Sequence, residues 1–352
     1  MAVTVAVDGM GGDHAPAEIV AGAREAASGG VRVLVTGIRA QLEPELQGAD
    51  GVEIVDAADV IGSSDEPAAA VRAKPDSSMV AACRLVRDGR AEAVVSAGPT
   101  GAMLAASLLH IGRIRGIARP GIAAPLPADG GPLILIDAGA TVDARAEHLL
   151  QWGLMGSEFM RGVMEVERPQ VGLLSIGEEA TKGNALTLEA RRLLEAADLD
   201  FAGNCEGRDV LSGRFHVVVT DGFAGNVLLK GLEGTAAMVI GEVRRAAMSS
   251  ARAKLGGALL RPALRAVRER IDPDTYGGAY LLGLRGLVVI AHGNATGRTI
   301  ANAIRVAARG AEAGVVARMA ERLSGDRPGS DLQAPAAINT VPQVTAPEIG
   351  DQ

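Results

Sequence analysis

Aromatic side chains are scarce in this chain: four phenylalanines, two tyrosines and one tryptophan among 352 residues. A core must therefore come from Ala, Val, Leu and Ile, which supply most of a 48% hydrophobic content. Cysteine is nearly absent. Cys83 and Cys205 cannot frame a disulfide scaffold or a zinc knot, and two buried small apolar side chains are the expectation. The five histidines are scattered, with no pair at metal-ligand spacing. No G-x-G-x-x-G follows the first strand, and Walker, H-E-x-x-H and G-x-S-x-G signatures are missing. Those absences weigh against standard dinucleotide binding, zinc hydrolysis and serine nucleophiles; no metal and no cofactor are called for. The net charge of −7 excludes a nucleic-acid binder held by bulk charge. No apolar run approaches the roughly 20 residues of a membrane helix, and Met1–Val7 runs straight into Asp8 without a signal-like region. A cytoplasmic protein is expected.

Glycine is abundant, at 46 residues, and its placement is the informative feature. Val217–Thr220 is a β-branched run that stops at Asp221-Gly222 and opens a helical pattern carrying Asn226 and Lys230. The same grammar occurs at Val3–Val7 with Asp8-Gly9-Met10-Gly11-Gly12-Asp13, at Val94–Gly101, and at Val288–Ala291 with His292-Gly293-Asn294. Each unit aims helix-start N–H groups at one place, while glycine admits a ligand close to the backbone. Several on one sheet would form an anion pocket.

Periodicity gives strands at 3–8, 31–36, 52–55, 92–96, 121–125, 132–136, 170–175, 199–203, 215–220 and 286–291. Helices are expected at 16–28, 38–46, 67–73, 76–88, 100–112, 143–166, 185–196, 223–248, 255–270 and 296–323. Short apolar strands alternating with helices predict a three-layer α/β/α fold with a mostly parallel sheet. Residues 119–141 break the alternation and read as an inserted hairpin or a crossing between two lobes. Residues 1–324 form the expected catalytic domain, and 325–352 read as a disordered tail.

Ligands of open α/β sheets collect at the carboxyl ends of strands. Asp8, Gly11, Gly12, Asp13, Ser96, Thr100, Gly101, Asp137, Lys182, Asn184, Asp221, Gly222, Asn226, Lys230, His292 and Asn294 fall at or just past such ends. Plainer readings compete: Asp8 and Asp221 as helix caps, Lys182 and Lys230 as solvated lysines, His292 as a turn residue. Only four of the 35 basic residues are lysine, so Lys182 and Lys230 stand out where a compact cation could meet an oxyanion. Residues 244–271 hold eight basic residues and one acidic one, Glu269. Arg261, Arg265 and Arg268 share an arc beside Leu260 and Leu264, the pattern of a basic amphipathic element facing anionic lipid or an acidic protein. Pro262 is expected to split it into two short helices.

These strings, in this order, resemble the phosphate acyltransferases of bacterial phospholipid synthesis, the PlsX family. The resemblance rests on Val7–Asp13, Ser96–Gly101, Gly172–Asn184, Glu206–Asp209, Asp221–Lys230 and Tyr276–Leu284 with His292-Gly293, spanning about residues 3–320. It implies transfer of a fatty acyl group from acyl carrier protein to orthophosphate, a cytoplasmic homodimer, and a fold similar to isocitrate and isopropylmalate dehydrogenases. It also implies transient contact with an anionic membrane surface. Gly9, Pro99, Thr141 and Asn294-Ala295 depart from the family pattern. On this reading Gly11–Asp13 and Asp221–Asn226, with Lys182 or Lys230, hold phosphate; Asn184, Asn226 or Asn294 serves the oxyanion; His292 supplies a proton. Rival readings are a phosphotransacetylase using acyl-CoA, a dehydrogenase on the related fold, and a noncatalytic adaptor joining carrier protein to a membrane acyltransferase.

Overall fold

A computed structural model describes residues 3–271 and 273–325. In its first half, β1 (Thr4–Asp8), α1 (Ala17–Ser28), β2 (Arg32–Gly37), α2 (Arg39–Leu42) and β3 (Val52–Asp56) are followed by α3 (Pro67–Ala73), α4 (Ser78–Arg87), β4 (Ala93–Ser96) and α5 (Thr100–Ala106). Then come β5 (Gly121–Ala128), β6 (Gly131–Ile136), α6 (Ala146–Val163), β7 (Val171–Leu174), α7 (Ala185–Ala196) and β8 (Phe201–Cys205). The chain continues through β9 (Val217–Val219), α8 (Gly222–Met248), α9 (Ala251–Ile271), β10 (Ala279–Leu282), β11 (Leu287–Ile290), α10 (Gly297–Glu312) and α11 (Val315–Gly325).

All eleven strands join one sheet, ordered β3-β2-β1-β4-β11-β10-β5-β6-β9-β7-β8. Pairing is mostly parallel, with antiparallel contacts only where β10 and β5 join the halves. Alternation along each strand sorts the core onto two faces. Val5, Val7, Val33, Val35 and Val95 lie on the face covered by α1 and α10, and the same core continues under α6, α7 and α11. Ala6, Leu34 and Val94 point the other way, onto α3, α4 and α5. On that second face a separate cluster around Leu126, Leu133, Phe215 and Val218 meets the start of α8. The three-layer α/β/α expectation is therefore met.

One consequence of the order positions the site. The β1-side strands and the β6-side strands run in opposite directions, so their carboxyl ends point opposite ways. Register nevertheless puts Val7, Val95, Val289, Tyr280, Ala123, Ile136 and Val219 on one continuous row. Both halves leave the sheet within a few residues of that row, so their exit loops meet across its middle.

Several elements differ from expectation. Strand β10 was not foreseen, because Ala279–Leu282 is only four residues bracketed by Gly277-Gly278 and Gly283, punctuation that reads as loop. Helix 38–46 shrinks to α2, since Pro44 has no N–H to extend the ladder. Helix 100–112 ends as a π turn over Ser107–Ile111. Helix 296–323 is two helices, broken where Gly314 adopts φ 63°. α9 continues through Pro262: its missing N–H leaves the Ala258 carbonyl without a helix partner, and that residue is exposed to water. The hairpin at 119–141 is present, but its strands run on to Ala128 and Gly131 and leave a two-residue turn, Asp129-Gly130. α8 is long and apolar enough, by length and composition, to cross a membrane, contrary to the sequence expectation. The tail expected from 325 onward lies, beyond Gly325, outside the described residues.

Candidate active site

The β1 and β4 ends are tied together by a buried carboxylate. The Ser96 hydroxyl donates to Asp8 Oδ2 at 2.7 Å, and the Gly98 N–H donates to Ser96 Oγ at 3.0 Å. Met10 N–H reaches Asp8 Oδ1 at 3.3 Å. Burial pushes the Asp8 carboxyl above the usual carboxylate range, opposed by hydrogen bonds from Ser78, Ser96, Met10 and Gly11. Only glycine fits at 11, where a Cβ would stand 2.5 Å from Asp8 Oδ2 and 2.7 Å from the Gly98 nitrogen. The Asp13 N–H donates to the Gly293 carbonyl at 2.7 Å, bringing the β11 exit loop alongside. α5 begins at Thr100 behind Pro99 with no side-chain cap, and the first N–H groups of a helix have no partner within it.

The β6 and β9 ends repeat the device. Asp137 is fully buried, and its Oδ1 accepts N–H groups from Ile122, Gly139 and Ala140 at 2.9, 3.1 and 2.9 Å. Its Oδ2 accepts Thr141 N–H at 2.7 Å. Burial raises its pKa while those four donors oppose the rise. The Thr141 carbonyl in turn accepts the Gly222 N–H at 2.9 Å, at the first residue of α8. Asp221 caps that helix by accepting Phe223 and Ala224 N–H groups at 3.0 and 2.9 Å.

Between the two rims lies a cavity of about 1310 Å³. Gly12, Asp13, Gly98, Pro99, Thr100, His292, Asn226 and Lys230 form its polar wall. Ile122, Ala124 and Leu126 of β5 and Leu229, Val239 and Ile240 of α8 form its apolar arm. From Leu229 to Ile240 the helix covers about 16 Å at 1.5 Å per residue. One leaflet of a bilayer's hydrocarbon is about half of ~30 Å, so the arm matches a long acyl chain in length. Lys230 pairs with Glu233 at 2.8 Å, and Glu233 also lines the cavity. Among the described residues no three His, Cys, Asp or Glu side chains gather as a metal site.

The sequence candidates separate into four groups. Gly12, Asp13, Thr100, Asn226, Lys230 and His292 share the cavity wall. Asp8, Gly11 and Ser96 sit directly behind it. Asp221 and Gly222 spend their backbone and carboxylate on capping α8, so the α8 N-terminus is closed to an anion. That corrects the expectation for Asp221–Asn226, and the capping reading wins there. Gly11–Asp13 is likewise a turn rather than a helix start, because α1 begins at Ala17 and the Asp13 N–H is already bonded. Lys182, Asn184, Gly101 and Asn294 are not on the cavity wall. Asn184 caps α7 by accepting Thr187 N–H at 2.9 Å. Ser175 donates to the Lys182 carbonyl at 3.1 Å, fixing that loop at the end of β7, one strand beyond β9. Pro99 stands on the wall itself, whereas Thr141 acts only through its backbone. Leu260, Arg261, Leu264 and Arg265 are exposed on α9; the side chain of Arg268 lies outside the described residues.

Sequence reading undervalued Asp137 and missed Glu233. The signal for Asp137 was present: Leu133–Ile136 ends on Asp-Ala-Gly, as Val5–Val7 ends on Asp-Gly. Cys83 and Cys205 are both buried, each with its thiol pushed up to about 12 by burial.

A family model described as fatty acid synthesis protein matches residues 3–318. The chain is 46% identical over 327 residues to a phosphate acyltransferase of Heliobacterium modesticaldum, covering 91% of this chain and 98% of that one. It is also 46% identical over 330 residues to one of Moorella thermoacetica, covering 93% and 96%. A solved phosphotransacetylase from Streptococcus pyogenes superposes with a TM-score of 0.60 at 16% identity, over 88% of this chain and 94% of that one. The EutD phosphotransacetylase from Staphylococcus aureus gives 0.58, also at 16%, with the same coverage. At such low identity these last two similarities concern the fold alone.

Proposed function

This chain belongs to the phosphate acyltransferase family, and from that premise we propose that it moves a fatty acyl group from acyl carrier protein to orthophosphate. The observation that carries this is the cavity's division into a polar wall at the strand ends and an apolar arm about 16 Å long between β5 and α8. An acetyl group needs no such arm.

In this reaction a phosphate oxygen attacks the thioester carbonyl, a C–O bond forms, the C–S bond breaks and the carrier leaves as a thiolate. Orthophosphate is already largely a dianion at neutral pH, so it needs positioning more than a strong base. The uncapped start of α5 and the ammonium of Lys230, drawn from Glu233, suit that task. Charge develops on the carbonyl oxygen, where each preorganised donor is worth ~3–4 kcal/mol; Asn226 lines that space. His292 on the same wall can return a proton to the departing thiolate, which leaves readily at a pKa of about 8.5.

The exposed α8–α9 pair extends this reading to partners. It presents Met238, Leu259 and Leu260 together with Arg261 and Arg265, apolar and basic surface suited to an anionic membrane, to an acidic carrier protein, or to a second copy of the chain. Incubation with long-chain acyl carrier protein, with and without phosphate, tests the reaction. Phosphate-dependent release of the carrier's thiol is the expected result, and a parallel arm with long-chain acyl-CoA separates the carrier from the acyl group. Equal thiol release without phosphate would sink the proposal.

A further inference from the structure

The geometry points to Asp137 as a positioning residue of this reaction: its carboxylate fixes the Gly139–Thr141 turn, which fixes the first turn of α8 and so decides where Asn226 and Lys230 stand in the cavity. The inference rests on the phosphate-transfer reading above and adds to it the residue that aims the helix.

α8 is 27 residues long, yet only Gly222 and Gly225 in its first turn are buried. Leu228, Leu229 and Leu232 rest half-buried on the sheet, and the hydrogen-bonded anchor of the helix lies at its first turn. Four contacts set it there. Asp137 Oδ2 accepts Thr141 N–H at 2.7 Å, and the Thr141 carbonyl accepts Gly222 N–H at 2.9 Å. Asp137 N–H donates to the Thr220 carbonyl at 3.0 Å, one residue before the helix cap. Gly225 lies so close over the Asp137 carbonyl that a Cβ there would overlap its oxygen at 1.9 Å. Gly139 then abuts Asn226, whose Cβ lies 3.7 Å from where a Gly139 Cβ would be.

Leverage makes this matter. Lys230 is eight residues into α8, about 12 Å along its axis, so a tilt of about 10° at the first turn moves it by about 2 Å. Misplacement by 1 Å can lower a rate about 100-fold. The carboxylate is suited to this role because it offers lone pairs to four N–H groups and presents no donor of its own.

Asp137→Asn keeps the shape but turns an NH2 toward either Thr141 N–H or the three donors on the other oxygen. The expected result is a folded enzyme whose kcat/KM for inorganic phosphate falls about 10- to 100-fold. Gly222→Ala wedges the same junction from the helix side, since its Cβ would meet the Thr141 carbonyl at 2.7 Å and Asp137 Oδ2 at 2.8 Å. It should give the same kinetic signature. A purely structural role would lower the melting temperature and leave the KM for phosphate unchanged. Should neither variant fold, amide exchange in the wild-type protein decides: inorganic phosphate should slow exchange at 139–141 and 222–226 together, and unchanged exchange there overturns the proposal. Wild-type protein without phosphate-dependent thiol release overturns the reading beneath it. Active wild type beside folded variants within twofold of its phosphate kcat/KM overturns the role of Asp137 alone.

Discussion

Ser96 and Asp8, 88 residues apart in sequence, share a 2.7 Å hydrogen bond beneath the floor of the cavity, and the Ser96 oxygen also accepts the Gly98 N–H. The exits of β1 and β4 are thus one knot, with no water needed to satisfy it. Ser96→Ala leaves a buried carboxyl oxygen and a buried N–H without their partner. We expect a stability loss of about 1–3 kcal/mol in denaturant melts, together with a lower kcat/KM.

Gly11→Ala strikes the same knot sterically. The added methyl would stand 2.5 Å from Asp8 Oδ2 and 2.7 Å from the Gly98 nitrogen, neither of which can move cheaply. Overpacking of this kind costs about 1–3 kcal/mol. Activity should fall at least tenfold even at temperatures where circular dichroism reports a folded protein.

Asn226→Ala and Lys230→Ala should separate in steady-state kinetics. In the proposed reaction Asn226 serves the carbonyl oxygen, so its loss should lower kcat by about 10²-fold. In the proposed reaction Lys230 holds phosphate, so its loss should act chiefly on the KM for phosphate, increasingly at low salt where its charge is least screened. Near-normal values in both would remove the polar wall from the mechanism.

Ala124 lies on β5 against the apolar arm. Ala124→Phe should fill part of that arm and shift the ratio of kcat/KM toward short acyl chains, measured with a 16-carbon and an 8-carbon thioester. An unchanged ratio would place the acyl chain elsewhere.

Stability should fall below neutral pH through His148. Its Nδ1 accepts the Arg145 N–H at 3.2 Å at the start of α6, and burial, aided by Arg119 and Arg145, holds its pKa below the ordinary 6.5. A depressed histidine contributes stability that is present above about pH 6.5 and lost as pH falls through its folded value. His110 acts in the same sense, with burial the main cause and a buried Nε2 that has no hydrogen-bond partner. Asp8 and Asp137, raised by burial, work the other way and do not drive acid unfolding. Melting temperatures from pH 8 to 5 should drop less steeply in His148→Gln, whose side-chain oxygen can still accept the Arg145 N–H.

Much of this was legible in the chain itself. Strands such as Val3–Val7 and Val217–Thr220 announce themselves by β-branched apolar runs, and the Asp-Gly that ends each marks where the sheet releases the chain. Local chemistry sufficed because β propensity, turn residues and helix starts are decided within a few residues. It failed for β10, too short between glycines to register. It failed also for the helix at Asp221, where a capping carboxylate and an anion-binding loop are written in the same letters.

Sequence by itself determined the two-faced sheet, the glycine-rich exits and the family. Only the tertiary structure decided which exits meet. Strand direction reverses at β10, at β5 and again at β6, and no local pattern encodes it, because a parallel and an antiparallel strand bury the same alternate side chains. Pairing across the sheet set the register that brings Ile136 level with Val95 and Val7. That alignment put Asn226 and His292 on one wall and left Lys182 at the neighbouring strand end, away from it.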